Sequence, residues 1–584
     1  MKNDIKIMPI GGVRENGKNM YAVDINGGIY ILDCGLRYPE NELLGIDVVI
    51  PDFSYLKENQ DRIVGVFLTH GHADAIGAIS YFLSEFDVPV FGSEMTIELA
   101  KLNVADSEQL KSFDDFHVVS VRSEIDFDDV KVTFFKTTHS IPGSMGIALH
   151  TSDGSIVYTG DFKFDQTATP MYQTDYAALT RLGEEGVLAL LSDSGNAENP
   201  APSASEKKIG EYITETFHYH DSRIVVASVA SNILRMQQVF NAAAATGRRV
   251  YLTGHDLERI VKTAMRLNTL KLPEDDLLID SVKDLDKMPL DKVVIIQTGK
   301  MGEPIKAIQR MANKEQGDIN IEPNDLVFIT TTPSTAMETT VAKTRDMVYR
   351  ADGEVEMISD QMNSSGDASQ ADLQLLLNLL HPKYLIPVQG EYRLLESHAK
   401  LAKEIGYTDD QVVIPNKGDI VSLGDDNMWI SGSASLSDTM IDGIGIGDIG
   451  NIVLRDRKVL SEDGIFVAVV TIDRKKKRIV SHPKLTSRGF VYVKANKDLM
   501  KEAAGIIEKT VTNNLDHKEF DWSNLKQDVR ESLSDYLYKQ TKRRPVILPV
   551  IMEVNQHHRR SNKHHSKNSA KDSKSTEKAS KSAN

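Results

Sequence analysis

Phe67-Leu68-Thr69-His70-Gly71-His72-Ala73-Asp74-Ala75 is the stretch on which the reading of this chain turns. It closes a short apolar run, Ile63–Leu68, of the kind a buried strand makes. Two histidines two residues apart after a strand, followed by an aspartate, can converge on one metal ion because the turn points them inward together. Imidazole nitrogens and carboxylates suit zinc or manganese. A His-x-His pair alone says little, but here it has company. His139 follows the strand Val132–Phe135 in Thr137-Thr138-His139-Ser140, and Asp161 follows another in Tyr158-Thr159-Gly160-Asp161. Candidate ligands at the ends of successive strands are hard to dismiss as satisfied core polar residues.

Outward from that stretch, residues 1–205 alternate strand and helix signals. Gly28–Leu32, Val88–Phe91, Val130–Phe135, Ile156–Tyr158 and Val187–Leu191 are short apolar runs, several of them ending in Asp or His. Such runs describe buried strands that deliver side chains to one edge of a sheet. Over residues 206–360 longer helices separate the strands Ile224–Ser228, Val250–Thr253, Val293–Gln297 and Leu326–Ile329, which predicts a second α/β unit. Residues 361–447 return helix, strand (Tyr384–Val388) and helix, then a Gly-, Ser- and Asp-rich linker or irregular crossing from about Gly432 to Gly450. Residues 448–555 predict a small α+β domain, with strands Gly464–Thr471 and Arg478–Ser481, an amphipathic stretch from Asp498 to Leu515, a helix near Trp522–Tyr538, and a closing strand Pro545–Val554. Residues 556–584 are Ser-, Lys-, Asn- and His-rich, which predicts a disordered basic tail.

At 584 residues the chain exceeds one ordinary core and fits roughly three to four domains. No apolar run approaches the ~20 residues of a membrane span, and no basic-then-apolar leader opens the chain. A single cysteine, Cys34, excludes an intrachain disulfide and any multi-cysteine metal cage. These features predict a cytoplasmic location and no membrane contact. The formal charge of −16 argues against broad nonspecific nucleic-acid binding, yet a local basic channel needs no positive sum.

With these residues on the page, the chain resembles the metallo-β-lactamase superfamily, whose pattern is His-x-His-x-Asp-His, a distant His, then an Asp. Asp33 matches that superfamily's early strand-end aspartate, which supports the site from behind the ligands. The unit that begins near Leu191-Ser192-Asp193-Ser194-Gly195-Asn196-Ala197-Glu198, with Ser205-Glu206, is similar to the β-CASP insertion of nucleic-acid-cutting members. Ala230-Ser231-Asn232-Ile233, Gly302-Glu303-Pro304, Pro387-Val388-Gln389-Gly390-Glu391-Tyr392-Arg393 and Lys542-Arg543-Arg544-Pro545 carry a closer resemblance, to the ribonuclease J family. That resemblance spans about residues 5–555. It implies an αββα metallo-β-lactamase sandwich split by a β-CASP α/β domain, followed by a small α+β C-terminal domain.

The departures from the family pattern fall on chemistry positions. Ala75 stands where the family has a histidine, Gln389 where it has its late metal-binding histidine, and Asp367 where it has the histidine that protonates the leaving group. Gly299-Lys300-Met301-Gly302-Glu303-Pro304 replaces a Gly-Ser-Gln-Gly-Glu-Pro segment, and no Pro-Gly-Asn phosphate loop appears near Thr331-Thr332-Pro333-Ser334. The resemblance thus implies a first metal position from His70, His72, His139 and bridging Asp161, and a second reduced to Asp74 and Asp161. One Zn2+ per chain is the expectation, with Mn2+ as the other candidate. Asp74 would position the water, Asp193 remains as the family's acidic partner, and Asp367 could donate a proton. Asn363, Ser364, Ser365, Gly366 and Asp367, together with Ser231 and Asn232, would face the substrate.

The resemblance implies an RNA-processing and decay nuclease for rRNA maturation and mRNA decay, 5′–3′ exonucleolytic and also internal, attenuated by the lost ligands. The losses also resemble those of a second, site-degenerate bacterial paralogue carried beside a fully active one. That leaves open a largely non-catalytic subunit that binds such a paralogue. Expected partners are RNA, a second copy or a ribonuclease J paralogue, and other RNA-decay proteins. Arg474-Lys475-Lys476-Lys477-Arg478 reads as a solvated hairpin tip or as an RNA or partner contact. Gly11-Gly12-Val13-Arg14-Glu15-Asn16-Gly17 lacks dinucleotide or Walker spacing and reads as a tight turn lining the cleft. His381 and His398 read as structural.

Overall fold

The strands Met20–Ile25 and Gly28–Leu32 are apolar at nearly every position because both their faces are covered. Ile29 and Ile31 point into one core, and Tyr30 and Leu32 into another. In the computed structural model, described for residues 3–39, 43–298, 304–317, 319–332, 337–424, 426–443, 445–446, 450–517 and 520–554, this pattern builds a two-sheet sandwich. The eight-stranded sheet runs Asn427–Ser433, Asp419–Gly424, Ile5–Gly11, Met20–Ile25, Gly28–Leu32, Ile63–Phe67, Val90–Gly92, Phe116–Val118. The six-stranded sheet runs Tyr384–Val388, Val187–Asp193, Gly154–Tyr158, Met145–Thr151, Val130–Lys136, Glu124–Phe127. Tyr21, Phe67, Phe134, Ile147, Tyr158, Leu191 and Ile386 fill the space between them. Helices such as Glu94–Ala105 cover the first sheet, and Tyr176–Glu185, Gln370–Leu380 and Tyr392–Glu404 cover the second, giving αββα layers.

Between the strands Val187–Asp193 and Tyr384–Val388, which pair in parallel, the chain inserts a further sheet. Its five parallel strands run Arg249–Thr253, Val293–Gln297, Ile224–Ala227, Leu326–Ile329, Glu354–Met357. Val226, Ile296 and Phe328 pack toward the helices Glu206–Tyr219 and Ile233–Ala245, and Val225, Ile295 and Val327 toward Pro304–Ala312 and Glu338–Arg350. Alternation across a sheet buried on both sides again produces continuous apolar runs.

Contacts divide the chain into two compact units, Met1–Ile449 and Gly450–Asn584. In the second, the sheet runs Arg478–Arg488, Ile465–Asp473, Val546–Glu553. Phe466, Ala468, Val470 and Ile472 pack on the helices Lys497–Asp516 and Trp522–Thr541 through Ile507, Val511, Val529 and Leu533. No helix among the described residues is long and apolar enough to cross a membrane.

Two local expectations are corrected. The Gly-rich segment is not irregular throughout: Thr439–Asp442 pairs antiparallel with Val48–Ile50, and Ile441 is buried opposite Val48. One buried residue in four leaves no periodicity to read. The strand expected over Arg478–Ser481 extends to Arg488, because an edge strand with a solvated face carries polar residues that hide it. Gly299–Glu303, Pro333–Ser334 and the tail 556–584 lie outside the described residues.

Candidate metal centre

The metal-ligating candidates sit where strands of both sheets end, and their orientation begins at Asp33. This residue is buried, in the left-handed region at φ 59°, and accepts hydrogen bonds from Thr69 N at 2.8 Å and Tyr158 Oη at 2.8 Å. The Thr69 hydroxyl also donates to it, at 2.8 Å. With that proton spent, Thr69 Oγ1 accepts from His70 Nδ1 at 2.9 Å, which leaves the lone pair of His70 on Nε2. His70 Nε2 is buried without a hydrogen-bond partner, 3.8 Å from Asp74 Oδ1 and 3.7 Å from Asp161 Oδ2. His139 is fixed the same way. Its Nδ1 donates to the Gly366 carbonyl at 3.1 Å, and its Nε2 lies 3.9 Å from Asp161 Oδ2.

His72 completes a triangle with these two, the ring centroids standing 5.0, 4.9 and 4.9 Å apart. Its Nδ1 meets Ser231 Oγ at 2.6 Å and its Nε2 meets Ser140 Oγ at 2.7 Å. Potential ligand atoms of His70, His72 and His139 lie within 4.8 Å of one another, as do those of His70, Asp74 and Asp161, and those of His139, Asp161 and Asp367. Asp367 therefore faces the ligand cluster directly.

The electrostatics ask for a cation. Burial, reinforced by the charges of Asp74, Asp367, Asp193 and Asp33, pushes the Asp161 carboxyl well above the usual range. Burial raises Asp33 to about 7 and, with a contribution from Asp367, Asp74 to about 6. Burial and the neighbouring histidines hold His70 and His72 neutral, their pKa values well below the ordinary one. The orphaned Nε2 of His70 and the Nε2 of His139, both near the crowded Asp161 carboxylate, with His72 beside them, fit one divalent ion.

The second half of the centre is filled differently. The Gln389 side chain, on a residue at φ 57°, donates its amide N–H to Asp161 Oδ1, and its own Oε1 is buried without a partner. Ala75 is fully buried in the apolar core, and its carbonyl accepts from Cys34 N at 2.7 Å. Neither residue places a coordinating imidazole beside Asp161.

Of the remaining predicted residues, Asp193 is buried, accepts from Gly195 N at 2.7 Å and from Ala368 N at 3.4 Å, and is raised by burial and then by Asp367. Asn232 caps the helix Ile233–Ala245 through Arg235 N. Asn363 donates to the Ala201 carbonyl at 3.1 Å, and Ser364 meets Thr332 Oγ1 at 2.8 Å, so both tie loops together. Ser365 donates to Asp367 Oδ2 at 3.3 Å. Sequence reasoning missed Asn19, which donates to Asp74 Oδ2 at 3.1 Å, and Ser140, which touches His72. It also missed Lys163, whose Nζ reaches Glu206 at 2.7 Å and the Ser365 carbonyl at 3.4 Å. Only Ser140, adjacent to His139, carried a local signal.

Family models match along the described fold: the metallo-β-lactamase superfamily over residues 13–194, the ribonuclease J β-CASP domain over 221–348, a Zn-dependent metallo-hydrolase RNA specificity domain over 353–415, and the ribonuclease J C-terminal domain over 452–554. Ribonuclease J 2 of Streptococcus pyogenes serotype M3 is 54% identical over 551 residues, covering 94% of this chain and 100% of the relative. The chain belongs to the ribonuclease J family. Ribonuclease J2 of Bacillus subtilis is 44% identical, with 94% of this chain and 99% of the relative covered. A crystal structure of a protein of unknown function from Enterococcus faecalis V583 aligns at a TM-score of 0.50 and 14% identity, over 72% of this chain and 100% of that one, and shows a shared fold alone. Within the ribonuclease J family this chain aligns with the second paralogue, and the metallo-β-lactamase architecture makes it a metal-binding hydrolase fold with RNA as its substrate class.

Proposed function

We propose that this chain is a single-ion ribonuclease of the ribonuclease J type, attenuated relative to two-ion members, acting on RNA in rRNA maturation and mRNA decay. The observation that carries the reading is the asymmetry of Asp161. One carboxylate oxygen faces His70 and His139, and the other is taken by the Gln389 amide. His70, His72, His139 and Asp161 would hold the ion, zinc by the donor set, with manganese as the other candidate. Such an ion supplies Lewis-acid polarisation of a phosphate oxygen and acidification of water. Asp74, held by Asn19, orients the attacking water, and Asp367 stands across the cluster to hand a proton to the leaving oxygen. Asn363–Asp367 and Ser231 line the substrate side, the former as a loop pinned by its own hydrogen bonds.

A second reading is favoured by a specific observation. At the lost ligand positions Ala75 is packed into the apolar core and Gln389 gives Asp161 a hydrogen bond, as a subunit that has handed chemistry to an active ribonuclease J paralogue would have them. In that case the chain works in a hetero-oligomer, or as a homodimer on RNA, and with other RNA-decay proteins. Cleavage of 5′-monophosphorylated RNA by the metal-quantified chain separates the two. Turnover abolished by His70→Ala supports the single-ion nuclease, and no turnover with retained RNA or paralogue binding supports the subunit.

A further inference from the structure

The turn Gly12–Gly17 is not consumed by the metal centre, yet it is built with care. Gly12 stands at φ 74°, where a Cβ would meet the Tyr21 hydroxyl at 2.2 Å, and Arg14 follows at φ 59°. A non-glycine residue rarely adopts that conformation unless its surroundings impose it. They do so here through Val13 and Glu15, which both bridge to Gly390, and through Gln389 N, which donates to the Gly12 carbonyl at 2.7 Å. The consequence is to lay the exposed Arg14 guanidinium over the Tyr392 ring, 4.7 Å from its centroid, while Arg14 also donates to the Ile414 carbonyl at 3.3 Å. Tyr392 remains 50% exposed. It lies three residues from Gln389, whose amide touches Asp161, and within the segment that matches an RNA specificity domain.

We propose that Arg14 and Tyr392 form a stacking platform for a nucleobase of the RNA strand at the rim of the metal centre; this rests on the RNA reading above. A cation over one aromatic face orders the ring and leaves it free to take a base, and an Arg beside it attracts the flanking phosphate. Stacking of this kind accepts any base, since every base has a π-face. The platform would therefore fix the register of a single strand without selecting its sequence.

The test uses the full chain and a single-stranded, 5′-monophosphorylated RNA made 2′-O-methyl throughout to stop turnover. One 2-aminopurine is walked through successive positions, and affinity is read separately by the anisotropy of a 3′ dye. The expected result is strong quenching at one position. Tyr392→Ala and Tyr392→Leu lose that quenching and bind roughly tenfold more weakly, and Tyr392→Phe keeps both. Arg14→Ala weakens binding with partial loss of quenching. Quenching and affinity unchanged in Tyr392→Leu, a variant that preserves bulk without a π-face, overturn the platform and leave the RNA reading standing. No RNA binding by the parent chain overturns the RNA reading and the platform with it.

Discussion

The Gln389 amide donates to the same Asp161 carboxylate whose other oxygen faces His70 and His139. Family resemblance places a metal-binding histidine at Gln389, and the amide answers that carboxylate with a hydrogen in place of a lone pair. A neutral donor there satisfies Asp161 without bringing a second positive charge.

Metal stoichiometry follows from this. The chain is expected to retain at most one divalent ion per chain after dialysis, by elemental analysis, and Ala75→His/Gln389→His to move toward two. Gln389→Leu leaves Asp161 without its amide partner, and its apparent stability should fall by about 1–3 kcal/mol with no gain of metal. Two ions in the parent chain would sink the asymmetry argument.

His398 gives a pH dependence of definite sign. It is fully buried, its Nδ1 pairs with Ser194 Oγ at 3.0 Å, and its Nε2 has no partner. Burial holds its pKa down at about 3. The unfolded chain takes up this proton near pH 6.5, so the folded state binds fewer protons between about 6.5 and 3. Stability is complete above pH 6.5 and falls as the pH drops through that window, by up to ~1.4 kcal/mol per unit from this residue. Melting scans from pH 7.5 to 5 should show a declining apparent Tm, with a shallower slope in His398→Gln.

Much of the fold was legible because buried strands write themselves as apolar runs that stop at Asp or His. Gly28–Leu32 is matched end for end, and Val187–Leu191 continues only to Asp193. The approach of His70 and His72 to His139, and of His139 to Asp161, was legible for the same reason, since each follows the end of a strand and the facing sheets bring those ends together. What could not be read was long-range polar pairing. Asn19 on Asp74 and Lys163 on Glu206 join residues 55 and 43 positions apart through single side chains, with no periodicity to announce them. Likewise nothing local announces that Asn363 also donates to the Ala201 carbonyl or that Asn232 accepts from Arg235 N at a helix start.

Glu206 is the hinge of a buried cluster at the base of the inserted domain. Lys163 Nζ lies 2.7 Å and Arg235 3.4 Å from its carboxylate, and Gln238 donates to it at 2.9 Å. Arg235 and Lys163 hold its pKa at about 2 against the cost of burial. Glu206→Gln strands two buried cations, and breaking such a pair costs about 3–5 kcal/mol. A large drop in denaturant midpoint is expected, with faster proteolysis around Ser365, whose carbonyl Lys163 also holds. A midpoint within error of the parent would remove the cluster from the account of how the loop is pinned.

Two glycines predict opposite outcomes for the same substitution. A Cβ on Gly35 would stand 1.5 Å from the Asp74 carbonyl oxygen and 2.1 Å from its carbon, contacts that only a shift of the Asp74 backbone can relieve. That backbone also accepts from Asn19 N at 2.9 Å and carries the carboxylate facing His70. Gly35→Ala should therefore lower both apparent Tm and metal retention, because the displaced atoms belong to the cluster. Gly505 lies exposed in the helix Lys497–Asp516 with nothing within 4 Å of a built Cβ. There Gly505→Ala removes only backbone freedom and should raise stability of that unit by about 0.5–1 kcal/mol. Metal retention unchanged in Gly35→Ala would mean that Asp74 tolerates displacement and is not held to its position by this turn.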